Sequence, residues 1–155
     1  MELITDAFKD RERIPDRYVM PGAGGENVSI PLSWSEPPEG TASFALTMVD
    51  PHPVANNWIH WMVVNIPPDV RSLKEGASRE FMPSRSIELI NSFGRPGYGG
   101  PQPPAGSGEH PYVITIYALS VPNIDPGESP SLSDFMSRIE GKVLDKASVT
   151  GVFEK

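Results

Sequence analysis

Ser43-Phe-Ala-Leu-Thr-Met-Val-Asp-Pro-His-Pro-Val-Ala-Asn-Asn-Trp-Ile-His-Trp-Met-Val-Val-Asn-Ile66 reads as two strands joined by a turn-rich link. Residues 43–49 and 59–66 are dense in β-branched, aromatic and long aliphatic side chains, whereas Pro, Asp and Asn crowd the stretch between them. A third such run, 112–119, is almost continuously apolar, as is 59–66, so both are expected as central strands covered on two faces. Shorter strands are expected at 29–34 and 148–153, with an edge strand at 14–19, where Pro15 costs no ladder hydrogen bond. The 18 prolines and 14 glycines are spread along the chain, a pattern of many short strands and turns. One helix is expected from Leu132 to Ala147, capped by Ser131 or Ser133. Phe135, Ile139 and Val143 form its apolar stripe, and Gly141 weakens its middle.

Composition narrows the chemistry. A chain of 155 residues suits one domain, 1–155, able to bury roughly 70% of the surface its unfolded form exposes. It has no cysteine, which excludes disulfides, a thiolate nucleophile and a Cys-rich zinc site. A formal charge of -7 argues against general affinity for nucleic acid or anionic lipid surfaces. The opening residues 1–13 lack the apolar core of a secretory signal, and no apolar run approaches the ~18 residues of a membrane helix. The expectation is a cytoplasmic protein with no integral membrane segment and no cofactor.

All three histidines, His52, His60 and His110, fall in two segments rich in Trp, Tyr, Gly and Pro: 50–61 and 98–112. Strand alternation puts Trp58, His60 and Met62 on one face and Ile59, Trp61 and Val63 on the other. Asp50, at a strand end, is a ready hydrogen-bond partner for His60. His110 and Tyr112 share a face as the 93–108 loop becomes a strand. That loop interleaves glycines, which permit close backbone approach, with prolines, which lower the entropy cost of a fixed shape. It matches neither a P-loop nor a dinucleotide fingerprint, and Gly106-Ser107-Gly108 lacks the Gly-x-Ser-x-Gly spacing of a nucleophile elbow. Imidazole, phenol and carboxylate groups in a rigid frame read as a preorganised anion or zwitterion pocket. Two alternatives use the same residues. One is a metal site from Asp50, His52, His60 and His110. The other is a weak Asp/His hydrolase in which a histidine activates water, Ser92 or Ser107.

Several motifs in order resemble the phosphatidylethanolamine-binding protein family, which includes the Raf kinase inhibitor protein. They are Ala7-Phe8 with Ile14-Pro15, residues 27–34, Asp50-Pro51, residues 58–67, and residues 91–106 leading to His110 and Tyr112. The tail, 143–153, is similar to the prokaryotic branch. The resemblance implies a mainly β fold, an antiparallel β-sandwich with a few short peripheral helices, one of them near the C-terminus. It also implies a ligand pocket of Asp50, His60, His110 and Tyr112, with Pro53, Trp58, Gly100 and Pro101 shaping its walls. The ligand would be a small phosphorylated or carboxylate anion such as a phosphoethanolamine-like headgroup. Regulation of a partner kinase or protease and a homodimer are further expectations. Two departures from the family pattern stand out: His52-Pro53 replaces the usual Asp-Ala-Pro, and Pro111 replaces an arginine after His110.

Overall fold

Strands β3 (Ser43–Asp50), β4 (Trp58–Ile66) and β7 (His110–Leu119) lie side by side, and every residue of β3 is buried. The computed structural model describes residues 1–128 and 130–155. With β6 (Ile87–Glu88) and β8 (Val143–Phe153), the three make a five-stranded antiparallel sheet in the order β6-β4-β3-β7-β8. A smaller antiparallel sheet of β1 (Leu3–Ile4), β2 (Leu32–Trp34) and β5 (Ser72–Leu73) runs in the order β1-β2-β5.

Two apolar layers follow from side-chain alternation along the central strands. Phe44, Leu46 and Met48 of β3 and Ile114 and Ile116 of β7 pack toward the small sheet, against residues such as Leu32 and Trp34. Ala45, Tyr117 and Leu119 point the other way, onto Phe135 and Ile139 of helix α1 (Leu132–Ile139). Each large aliphatic side chain so buried contributes roughly 1.5–3 kcal/mol. The mainly β, two-sheet architecture with a helix near the C-terminus agrees with the sequence reading.

Three local readings need correction. The helix stops at Ile139 instead of running to Ala147. Ser131 caps it, accepting a 3.2 Å hydrogen bond from the Asp134 N–H, but Gly141 adopts φ +77° and reverses the chain. Residues 143–147 then extend β8, which pairs with β7 from His110↔Phe153 to Leu119↔Val143. The ladder with a long neighbouring strand outweighs the weak helical stripe, and Val143 is exposed on the strand. At 14–19 the expected edge strand is reduced to a parallel bridge between Arg13 and Val152. A 3₁₀ turn at Asp16–Tyr18 follows Pro15. In 29–34 only Leu32–Trp34 is strand.

Alternation also fails within β4. Met48 pairs with Trp61 and Val49 with Ile59, so His60 is an extra residue, a β-bulge. Ile59 and Met62 therefore face the helix, while Trp61 and Val63 face the small sheet. His60 lies on the same side as Trp61, packed edge-on against Tyr112 with ring centres 5.0 Å apart.

The Gly/Pro loop after Phe93 is tied down. The Tyr98 hydroxyl donates to the Tyr18 carbonyl (2.8 Å), the Gly100 N–H to Asn27 Oδ1 (2.7 Å), and the Met20 N–H to the Pro101 carbonyl (3.0 Å). A Cβ on Gly100 would overlap the Tyr18 carbonyl oxygen, which is backbone and cannot rotate away. Gly100→Ala is therefore expected to cost about 1–3 kcal/mol by overpacking, measured by urea denaturation. An unchanged midpoint would remove this contact from the account of the loop.

Candidate functional site

The apolar row facing the small sheet turns polar at its last positions. Along β3 it runs Phe44, Leu46, Met48 and then Asp50; along β7 it runs Ile116, Ile114, Tyr112 and then His110. The β3–β7 register, Val49 opposite Val113, sets these two strand ends beside each other. The site is thus the mouth of the inter-sheet core, where packing gives way to hydrogen-bonding groups.

Asp50 and His110 are both buried, and His110 Nδ1–H donates to Asp50 Oδ2 at 2.6 Å. The other carboxylate oxygen accepts the His52 N–H at 2.9 Å. His52 lies flat on His110, ring centres 3.8 Å apart and planes 7° from parallel. Its own Nδ1 accepts the Val54 N–H (3.1 Å), which fixes the ring. On the far edge of His110, Nε2 meets Ser107 Oγ at 2.8 Å. Both nitrogens of His110 are engaged within the protein.

His60 is held differently from the sequence expectation. It does not bond Asp50; its Nδ1–H donates to the Gly99 carbonyl at 2.7 Å, while the Gly99 N–H donates to the His60 carbonyl at 2.8 Å. This reciprocal pair zips the loop onto the bulge. Burial is the main cause of a His60 pKa lowered from 6.5 to about 4, outweighing the carbonyl and Asp50, which favour the cation. Neutral His60 then carries its proton on Nδ1 and a lone pair on Nε2. Burial also pushes the Tyr112 phenol up, with the negative charge of Asp50 adding to the effect, so the hydroxyl stays a donor. Neither His60 Nε2 nor the Tyr112 hydroxyl bonds any described residue, and neither is sealed away without a partner. Both open to the cavity.

That cavity measures about 370 Å³. Asp50, Trp58, His60, His110 and Tyr112 line it, so five sequence-predicted residues converge there from positions up to 62 apart in number. Pro53, Gly100 and Pro101 do not line it. Pro53 is exposed beyond the rim, while Gly100 and Pro101 face the 18–27 segment and hold the loop from behind. The sequence reading missed the apolar wall of Val54, Phe93, Pro103 and Pro104. Phe93 packs edge-on against both Trp58 (5.4 Å) and His60 (5.7 Å). Asn91 aims it by accepting the Phe93 N–H and donating to the Gly97 carbonyl. An aromatic residue inside a Pro/Gly run was the available signal for that wall. A wider hollow of about 600 Å³ between the N-terminal segment and β8 is lined by none of the histidines.

The metal alternative lacks geometry. Among the described residues no three His, Asp or Glu side chains are grouped to hold an ion, and the nitrogens of His110 are already spent. The same residues also present no helix long and apolar enough to cross a membrane.

The sequence and the fold match known proteins. A family model described as phosphatidylethanolamine-binding protein covers residues 4–154. A UPF0098 protein of Methanothermobacter thermautotrophicus is 42% identical, covering 100% of this chain and 99% of that one. The UPF0098 protein YbhB of Escherichia coli is 37% identical over 99% of each. Among solved structures, E. coli YbcL, described as a new member of the mammalian PEBP family, superposes with a TM-score of 0.91. It is 33% identical, with 99% of this chain and 98% of that one covered. The chain belongs to the phosphatidylethanolamine-binding protein family.

The His60 environment carries a sign-definite pH effect. Its pKa is lower folded than unfolded, so between about 4 and 6.5 the unfolded chain binds the extra proton and stability rises with pH. The group is expected to remove about 3 kcal/mol as pH falls through that window. Urea denaturation at pH 7 and pH 4.5 should show a smaller loss for His60→Gln than for the wild type. Equal losses would mean His60 titrates normally.

Proposed function

We propose that the protein binds a small anion, of the phosphate-monoester or carboxylate class, in the cavity at the end of the inter-sheet core. One observation carries this reading: a phenol donor and an imidazole nitrogen, both without partners among the described residues, open into a recess whose wall is largely Val54, Trp58, Phe93, Pro103 and Pro104. Trp58, Phe93 and the prolines give the recess an apolar wall, and the lower local dielectric beside it strengthens any charge-assisted hydrogen bond made there. Among the described residues no Lys or Arg lines the cavity, so the ligand charge is met by hydrogen bonds and by a proton, not by an ion pair.

The protonation of His60 sharpens the expectation. Its Nε2 lone pair repels an anion oxygen unless a proton sits between them, supplied by the ligand or taken from solvent. Binding is thus coupled to one proton. The cationic end of a zwitterion such as phosphoethanolamine faces the Trp58 and Phe93 rings. Asp50 stays committed to His110 and to the His52 N–H.

Calorimetric titration with inorganic phosphate and with phosphoethanolamine is expected to show the Kd rising with pH between 6 and 8, by up to about tenfold per unit. His60 NMR signals should shift on binding. Tyr112→Phe should weaken binding by about tenfold through loss of one charge-assisted hydrogen bond. Unmoved His60 signals with both ligands would end this reading, and a pH-independent Kd would end its proton coupling.

A further inference from the structure

We propose that Ser107, His110 and Asp50 form a nucleophilic relay that accepts acyl groups from activated esters, a hydrolytic activity separate from anion binding. The connections are direct. Ser107 Oγ is 2.8 Å from His110 Nε2, and His110 Nδ1 is 2.6 Å from Asp50 Oδ2. These are the contacts by which an imidazole removes a hydroxyl proton while a carboxylate fixes its tautomer and orientation. His110 is unusually well held for that task, stacked on His52 and locked at both nitrogens, and the Asp50 carboxylate is oriented by the His52 N–H. The spacing Gly106-Ser107-Gly108 is no nucleophile elbow; it is the folded loop that delivers the serine.

Ser107 has one hydroxyl proton and two acceptors in reach, His110 Nε2 and the Pro104 carbonyl at 2.6 Å. When His110 is neutral with its proton on Nδ1, Nε2 takes the serine hydrogen bond, which is the reactive arrangement. Ser107 is half-buried beside the cavity wall that Pro104 and His110 supply. Cβ positions of Gly106 and Gly108 meet open space, so a substrate has room to approach. The Gly108 N–H, directly after the serine, makes no hydrogen bond with any described residue, leaving a backbone donor for a developing oxyanion. Ser92 offers no such site. Its Oγ accepts the Ile59 N–H and its own N–H returns to the Ile59 carbonyl.

In the reaction, Ser107 Oγ adds to the ester carbonyl carbon as its proton passes to His110 Nε2. The bond from that carbon to the alcohol oxygen breaks, and the alcohol leaves with the proton from His110. Water repeats the sequence on the acyl-serine, giving the carboxylic acid and restoring the Ser107 hydroxyl.

The full chain treated with a fluorophosphonate probe at neutral pH is expected to gain one adduct, mapped by peptide mass spectrometry to Ser107. It should also hydrolyse p-nitrophenyl acetate. Ser107→Ala, on a loop where it removes only the hydroxyl contacts to His110 and the Pro104 carbonyl, should lose the adduct and drop ester turnover by about a hundredfold or more. His110→Gln should suppress labelling as well; if that variant fails to fold by circular dichroism, Ser107→Ala decides alone. Absence of an adduct, labelling at another residue, or turnover unchanged in Ser107→Ala would each overturn the proposal. Phosphate-induced shifts of His60 in the wild type report the anion pocket separately, so either reading can fall without the other.

Discussion

The site depends on one buried contact, the 2.6 Å hydrogen bond between Asp50 and His110, whose residues are 60 positions apart. A carboxylate at this depth is tolerable only when its oxygens are satisfied, because a buried polar group left without its hydrogen-bond partner costs about 1–3 kcal/mol. Here one oxygen takes His110 and the other the His52 backbone. The bond clamps the ends of β3 and β7 at the point where their paired apolar rows run out. It therefore fixes both the mouth of the core and the pose of the imidazole that reaches Ser107.

The loop supplying the rest of the wall is rigid for identifiable reasons. Gly99 exchanges two hydrogen bonds with His60, Gly100 and Pro101 are pinned to the 18–27 segment, and Arg79 donates to the Pro96 and Tyr98 carbonyls. Conformational entropy is thus spent during folding, not at ligand entry. A recess held this way has few groups able to swing toward an anion. The fixed partnership of His60 with Gly99 therefore decides which imidazole nitrogen the recess displays.

Much of this was legible in the sequence because it rests on residue type and spacing. The three long strands, the Ser131 cap and the convergence of Asp50, Trp58, His60, His110 and Tyr112 all follow from apolar runs, turn residues and the family motifs. What stayed hidden depends on tertiary register. Nothing local in Ile59-His60-Trp61 announces a bulge, since the extra residue is defined only against β3. Likewise the end of the helix was set by a competing ladder with β7, and the partner of His60 was chosen by a carbonyl 39 residues away. Gly100 and Pro101 carry a pocket-like signature, yet they face the opposite side of the loop for the same reason.

The three histidines divide the chemistry by how their nitrogens are used. His52 spends Nδ1 on its own turn and lends its ring face as a platform. His60 spends Nδ1 on Gly99 and turns Nε2 to the cavity, where the proposed anion would meet it. His110 spends both nitrogens, one on Asp50 and one on Ser107, so its capacity to move a proton is directed along that line instead of into the cavity. Because a ring nitrogen makes one hydrogen bond at a time, these commitments are mutually exclusive. The proposed anion site of His60 and Tyr112 and the proposed relay from His110 to Ser107 therefore share no atom.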